Sequence, residues 1–383
     1  MVIQNASVYG EDGAFHSGDI HISGDHIVTP AECDEMNLVL DGSDCYAVPG
    51  LIDIHFHGCA GYDLGDGTVE ALERLAQYEA SVGVTGIVPA TMTLEEERLF
   101  EICRAASAYA EMTGPGDRAA FYGIHMEGPF ISAAKKGAQD GAHIRLPDVK
   151  LFDSLQETCG HRIRLVDIAP ETEGAMEFIE AVCKKAICDK TVVSLAHTAA
   201  DYDISMKAFA AGASHVTHLY QAMTGFHHRA PGIIGAAADS GSVTVELICD
   251  GIHVHPAAVR TAFKIFGDDR IILISDSMRA TGMGDGKYDL GGQKVNVTGS
   301  LAALRDGTIA GSVTDLADCL RTAVLRMGIP LESAVKCATA NPAKRIGIYE
   351  RCGSISPSKL ANIVLLRKED LSLRQVILKG VAI

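Results

Sequence analysis

The chain has 383 residues, 47% of them hydrophobic and 21% charged, with a formal net charge of −16 at pH 7. This length exceeds one average domain and suits a (β/α)8 barrel of about 250 residues with a small domain attached. So acidic a balance disfavours nucleic acid or an anionic membrane as a bulk partner, since both ask for a basic face, and no run reaches the roughly 18 apolar residues of a membrane span.

The first fifty residues contain short strand-like pieces, "VIQNASVYG", "GDIHISGDHIV" and "NLVLDGSDCYAVPG", separated by Gly and Asp turn signals, and read as hairpins of a β-domain. Eight runs rich in Val, Ile and Leu follow, near 51–57, 84–91, 121–127, 162–169, 191–197, 214–219, 243–250 and 270–276. Between them lie amphipathic segments. In "TVEALERLAQYEASVG" the residues Val69, Leu72, Leu75 and Ala76 recur at helical spacing, and in "MEFIEAVCKKA" Phe178, Ile179 and Val182 do the same. Strand and helix alternate as a parallel α/β fold requires. The tail, "GSISPSKLANIVLLRKEDLSLRQVILKGVAI", returns to the character of the first fifty residues. The expected fold is therefore α/β: a (β/α)8 TIM-like barrel over residues 51–345, flanked by a small β-sandwich that both chain ends form, residues 1–50 with 346–383. The opening "MVIQNASVYGEDG" lacks a basic stretch followed by an apolar segment, and the eleven cysteines show no CxxC spacing. A cytoplasmic protein with reduced thiols is expected.

Five of the apolar runs finish on a residue able to bind metal or move a proton. "GLIDIHFH" ends with His55 and His57, "FYGIHMEG" with Glu127, "TVVSLAH" with His197, "SHVTHL" with His218 and "RIILISD" with Asp276. Residues so scattered converge only if the runs are parallel strands pointing the same way. His55 and His57, two apart on a strand, project from one face, the barrel interior. A lone interior histidine is commonly a hydrogen-bonded core residue, but imidazoles from three runs with one carboxylate suit zinc, iron(II) or a similar divalent ion. Asp276 is the candidate base, placed to take a proton from a metal-bound water and return it to a leaving group; an N-cap or a plain ligand are its other readings. The sum is a metallohydrolase.

The segments "PGLIDIHFHG", "HMEGPF", "AHT", "HLYQAM", "HHRAPGIIG", "CDGIHVHP" and "ISDSMRATGMGDGKYDLGG" resemble, in order and over essentially the whole chain, the N-acetylglucosamine-6-phosphate deacetylases of the amidohydrolase superfamily. The resemblance implies a barrel with a split β-sandwich and hydrolysis of the acetamide of N-acetyl-D-glucosamine 6-phosphate. It implies Glu127, His197 and His218 as the ligands of a metal that every member keeps, and Asp276 as catalytic base and acid. Some members replace the early HxH and use one metal; this chain keeps it, so one or two divalent ions per subunit are expected. Zinc and iron come first, with manganese or cobalt as alternatives. Arg229 and His253 are similar to residues that hold the sugar phosphate, and Ile309, Ala310 and Gly311, in "TIAGSV", to a loop that lies against the substrate. Ala138, Gln139, Gln221 and Ala222 fall in matching substrate-contact segments. Members are usually homodimers in which a phosphate-binding residue crosses from the neighbour, and "GFHHRAPG" is the segment expected at that interface.

Two departures stand out. Gln139 replaces a histidine that helps polarise the acetamide carbonyl in many members; glutamine donates a hydrogen bond but cannot become cationic. Gln221 replaces the usual asparagine. His143, four residues beyond Gln139, is a candidate to supply the missing imidazole. The alternatives are hydrolysis of N-acetylgalactosamine 6-phosphate or another amide, and a non-catalytic sugar-phosphate sensor.

Overall fold

The computed structural model describes residues 1–33, 38–112, 116–189 and 191–383, with the side chains of 186–190 excepted; Asn37 and the side chain of Ala186, ends of two of the segments above, lie outside this set. Each of the eight apolar runs contains a strand: Leu51–Asp53, Val84–Ile87, a third in two pieces (Ala120–Phe121 and Ile124–Met126), Ile163–Ile168, Val192–Leu195, His215–Val216, Thr244–Ile248 and Ile271–Ile274. Neighbours in this order pair in parallel, in one sheet of three strands and one of six. The sheets meet where Ala90 bridges His125. On the other side the Asp276 N–H donates to the His55 carbonyl (3.0 Å), bringing the eighth run against the first. Helices join successive strands. Leu72, Leu75 and Ala76 on the helix Val69–Ser81 are buried, as are Phe178, Ile179 and Val182 on Ala175–Asp189. The curled parallel sheet is thus covered on its outer face, as near-continuous apolar strands demand.

The two chain ends meet in one eight-stranded sheet, in which Ile363–Arg367 runs antiparallel to Cys45–Pro49. Its alternation is that of a strand buried on both faces. Ile363 and Leu365 point into a small core with Ile3, Ile20 and Ile377, whereas Val364 and Leu366 join the main core.

One element is absent from the expectations above. After Asp276 the chain builds a three-stranded antiparallel sheet, Gly286–Leu290, Gln293–Thr298 and Leu301–Ala303. Leu290, Val295 and Ala302 close over Met92, Met278 and Ala310 in a satellite core. No helix begins at Asp276, which removes the N-cap reading. Among the described residues no helix is long and apolar enough to cross a membrane.

Candidate active site

The strands stop short of the residues that carry the chemistry. Asp53, Met126, Leu195, Val216 and Ile274 are the last ladder residues, and His55, His57, Glu127, His197, His218 and Asp276 lie one to four positions beyond them. There the backbone leaves the regular ladder: the His57 N–H donates to the Ser277 carbonyl at 2.7 Å. His197, His218 and Asp276 adopt φ of 43°, 30° and 49°. This left-handed region is unfavourable for side-chain-bearing residues, and its recurrence at three site residues marks backbone held by its surroundings to aim a side chain.

The six residues converge, and all are buried. One oxygen of Glu127, Oε1, lies 2.8 Å from His197 Nε2 and 3.1 Å from His218 Nε2. The other, Oε2, lies 3.2 Å from His57 Nε2 and 3.8 Å from His55 Nε2. Asp276 Oδ1 faces the same pair, at 3.3 Å from His57 Nε2 and 3.9 Å from His55 Nε2. Three of the four imidazoles are fixed through Nδ1: His55 on Glu246 (2.9 Å), His57 on the Ala90 carbonyl (3.2 Å) and His197 on the Lys135 carbonyl (2.9 Å). Anchoring Nδ1 turns Nε2 to the centre, the usual arrangement of a metal-binding histidine.

The electrostatics point the same way. Burial pushes the Glu127 carboxyl up, but the hydrogen bonds from His197 and His218, with His55 and His57 close by, outweigh it and hold the group well below the usual range. Asp276 is lowered similarly, burial losing to its hydrogen bond with His57 and the charges of His55 and His57. Burial lowers His57, yet Asp276 and Glu127 raise it to about 10. The cluster calls for positive charge at its centre. His55 Nε2 and Glu127 Oε2 are buried without a hydrogen-bond partner, and two donor sets, His55–His57–Glu127 and Glu127–His197–His218, each converge closely enough for one ion. These observations fit a divalent cation in either set, with Glu127 common to both. A third grouping, His55–His125–Glu246, is a hydrogen-bonded layer beneath them. Both ring nitrogens of His125 are engaged there, Nδ1 by the Ile54 carbonyl (3.1 Å) and Nε2 by Asp167 (2.9 Å).

A cavity of about 260 Å³ opens over the cluster. Of the residues singled out from sequence, Ala138, Gln139, Gln221, Ala222, His253, Ile309 and Gly311 line it with His57, Glu127, His197, His218 and Asp276. Three of the residues singled out from sequence lie away from this wall. Arg229 lies outside this cavity, exposed on the segment beside Phe226, where it contacts His228. Ala310 is fully buried in the satellite core, so only its neighbours Ile309 and Gly311 face the cavity. His143 lines a separate cavity with Asp63, Arg98 and Arg279 and supplies no imidazole here.

Gln139 is buried, and its Oε1 accepts the Thr93 N–H at 2.6 Å. Gln221 donates from Nε2 to the His253 carbonyl (3.0 Å), and His253 Nδ1 meets Asp250 at 2.7 Å. Burial lowers His253 but the Asp250 carboxylate prevails, so its pKa is raised. Sequence reasoning missed Met92, Gly137, Leu290 and Thr308 on the cavity wall. It also missed Glu246, although a carboxylate in the middle of the apolar run "TVELICD" was a readable signal.

The chain belongs to the amidohydrolase family, whose model matches residues 46–383. It is 38% identical over 330 residues to the N-acetylglucosamine-6-phosphate deacetylase of Bacillus subtilis (strain 168), a match covering 85% of this chain and 82% of that one. It is 34% identical over 332 residues to the N-acetylgalactosamine-6-phosphate deacetylase of Escherichia coli O157:H7, covering 87% and 86%. Among solved structures it is similar to N-acetyl-D-glucosamine-6-phosphate deacetylase from Mycobacterium smegmatis, with a TM-score of 0.90 and 30% identity over the full length of both chains.

Proposed function

We propose that this protein hydrolyses the acetamide of N-acetyl-D-glucosamine 6-phosphate, releasing acetate and D-glucosamine 6-phosphate. The observation that carries this reading is the Glu127 carboxylate set between two pairs of histidine Nε2 atoms, with Asp276 facing one pair at the floor of a sugar-sized cavity. The similarity to deacetylases over most of the chain supplies the substrate. One or two divalent ions per subunit, zinc or iron before manganese or cobalt, are held by Glu127, His197 and His218 and by His55, His57 and Glu127. A bound ion supplies a Lewis acid for the acetamide carbonyl and a water of lowered pKa.

The residues do the rest. Asp276, ionised and at the cavity floor, accepts the proton of the attacking water and delivers it to the departing amine, which leaves poorly unless protonated. Gln139, with Oε1 held by Thr93, directs its amide NH2 at the acetamide oxygen. His253, oriented by Asp250, whose carboxylate raises its pKa, meets the 6-phosphate from within the chain. Arg229 reaches the phosphate of a second subunit, in a homodimer to which the exposed Phe226 contributes apolar surface. The eight strands close into a (β/α)8 barrel over 51–345, with residues 1–50 and 346–383 as the small β-domain. The ten described cysteines are free, in keeping with a cytoplasmic setting.

A second reading, hydrolysis of N-acetylgalactosamine 6-phosphate, draws on the similarity to that deacetylase and on the replacements at Gln139 and Gln221. Acetate release from the two epimers and from unphosphorylated N-acetylglucosamine, with chelated protein reloaded with known metals, decides. Fast release from the glucosamine phosphate alone supports the first reading; release from the galactosamine epimer alone selects the second, and none from any substrate refutes both.

A further inference from the structure

Glu246 takes no part in the cavity wall, yet it ties His55 and the His218 backbone of the cluster to His215 beneath them. It faces inward from the strand Thr244–Ile248 and is fully buried. Its Oε2 accepts from His55 Nδ1 at 2.9 Å and from the His218 backbone N–H at 3.1 Å. Its Oε1 meets His215 Nε2 at 3.0 Å, while His215 Nδ1 meets Thr244 Oγ1 at 2.6 Å. A carboxylate taken out of water is tolerated only when its oxygens are so satisfied.

The acceptors behind the histidines are not equivalent. Behind His57 and His197 stand neutral carbonyls, those of Ala90 and Lys135; behind His55 stands a charge. An imidazole donating Nδ1–H to a carboxylate is fixed in one tautomer, and its Nε2 becomes a stronger ligand. Glu246 cannot itself share an ion with His125, whose nitrogens are both engaged. On the reading of the cluster as a two-ion centre, we propose that Glu246 is the positioning residue for His55 and thereby sets occupancy of the His55–His57 ion position, leaving the Glu127–His197–His218 position filled.

The test compares the wild-type chain with Glu246→Gln, which keeps the shape and removes the charge. Chelated proteins are titrated with Co(II), followed by visible absorption, and metal per chain is measured after dialysis. Wild type takes up two equivalents; the variant retains one and binds the second about 10–100-fold more weakly. Equal affinity for both ions in the variant overturns the proposal alone, as does loss of both ions from a variant with a wild-type circular dichroism spectrum. A wild-type stoichiometry of one overturns the two-ion reading and the proposal with it. Should the variant fail to fold, the wild type decides: in zinc-loaded protein with 15N-labelled histidine, His55 shows a protonated Nδ1 and a metal-bound Nε2, and the opposite assignment overturns the proposal.

Discussion

Asp276 Oδ1 lies 3.3 Å from Nε2 of His57, so the proposed base and the HxH motif, more than two hundred residues apart in sequence, share one polar pocket. The two were brought together by the meeting of the first and eighth strand ends, sealed by the hydrogen bond from the Asp276 N–H to the His55 carbonyl. Asp276→Asn keeps the shape and removes the proton acceptor. Turnover is expected to fall by about 10²–10⁴-fold. Metal content should hold at the Glu127–His197–His218 position, and near-normal turnover in the Asn variant would remove Asp276 from its role.

His197 touches the Glu127 oxygen shared with His218, and its replacement leaves that half of the cluster one donor short. For His197→Ala both metal content at this position and activity should be lost together. Elemental analysis after dialysis, beside the acetate assay, checks it: a variant that keeps full metal while losing activity assigns His197 to catalysis instead of ligation.

Arg229 lies outside its own chain's cavity, which makes its contribution testable by mixing. Arg229→Ala should raise KM for the sugar phosphate about tenfold or more, equivalent to about 1.4 kcal/mol, with kcat changed little. Mixed dimers of Arg229→Ala and Asp276→Asn subunits should recover one intact site each and, at substrate well below KM, show more activity than either parent. Absence of recovery in dimers that demonstrably exchange subunits places Arg229 outside the partner's site.

Glu79 offers a pH test away from the chemistry. Its carboxyl is fully buried on the helix Val69–Ser81, and neither oxygen has a hydrogen-bond partner. Burial, helped by the charges of Asp53 and Asp315, raises its pKa well above the usual value. Above the unfolded-chain pKa of about 4.3, the folded protein therefore keeps a proton that the unfolded chain has lost. Folded binds more than unfolded, so this group's contribution to stability falls as pH rises through that window up to its folded pKa. Glu79→Gln should flatten the decline of Tm between mildly acidic and neutral pH. An unchanged slope in thermal melts across that range counts against a neutral Glu79.

Much of this protein was determined locally. The eight apolar runs, the helical spacing around Leu72 and Phe178, and the carboxylate or imidazole closing five of the runs are properties of short segments. A strand buried on both faces must be apolar throughout, so a polar residue at its end is visible in the sequence alone. Tertiary structure decided what depends on which segments meet. The left-handed backbone at His197, His218 and Asp276 is held by neighbouring loops, not by those residues' own preferences. The small antiparallel sheet after Asp276 carries Leu290 to the cavity wall while its satellite core draws Ala310 away from it, an outcome set by packing against Met92 and Met278. Glu246 gains its meaning only from His55, 191 positions away in the chain. Arg229 reads alike in sequence whether it faces its own cavity or the solvent, because a loop residue has no periodicity to fix its direction; the fold turned it outward.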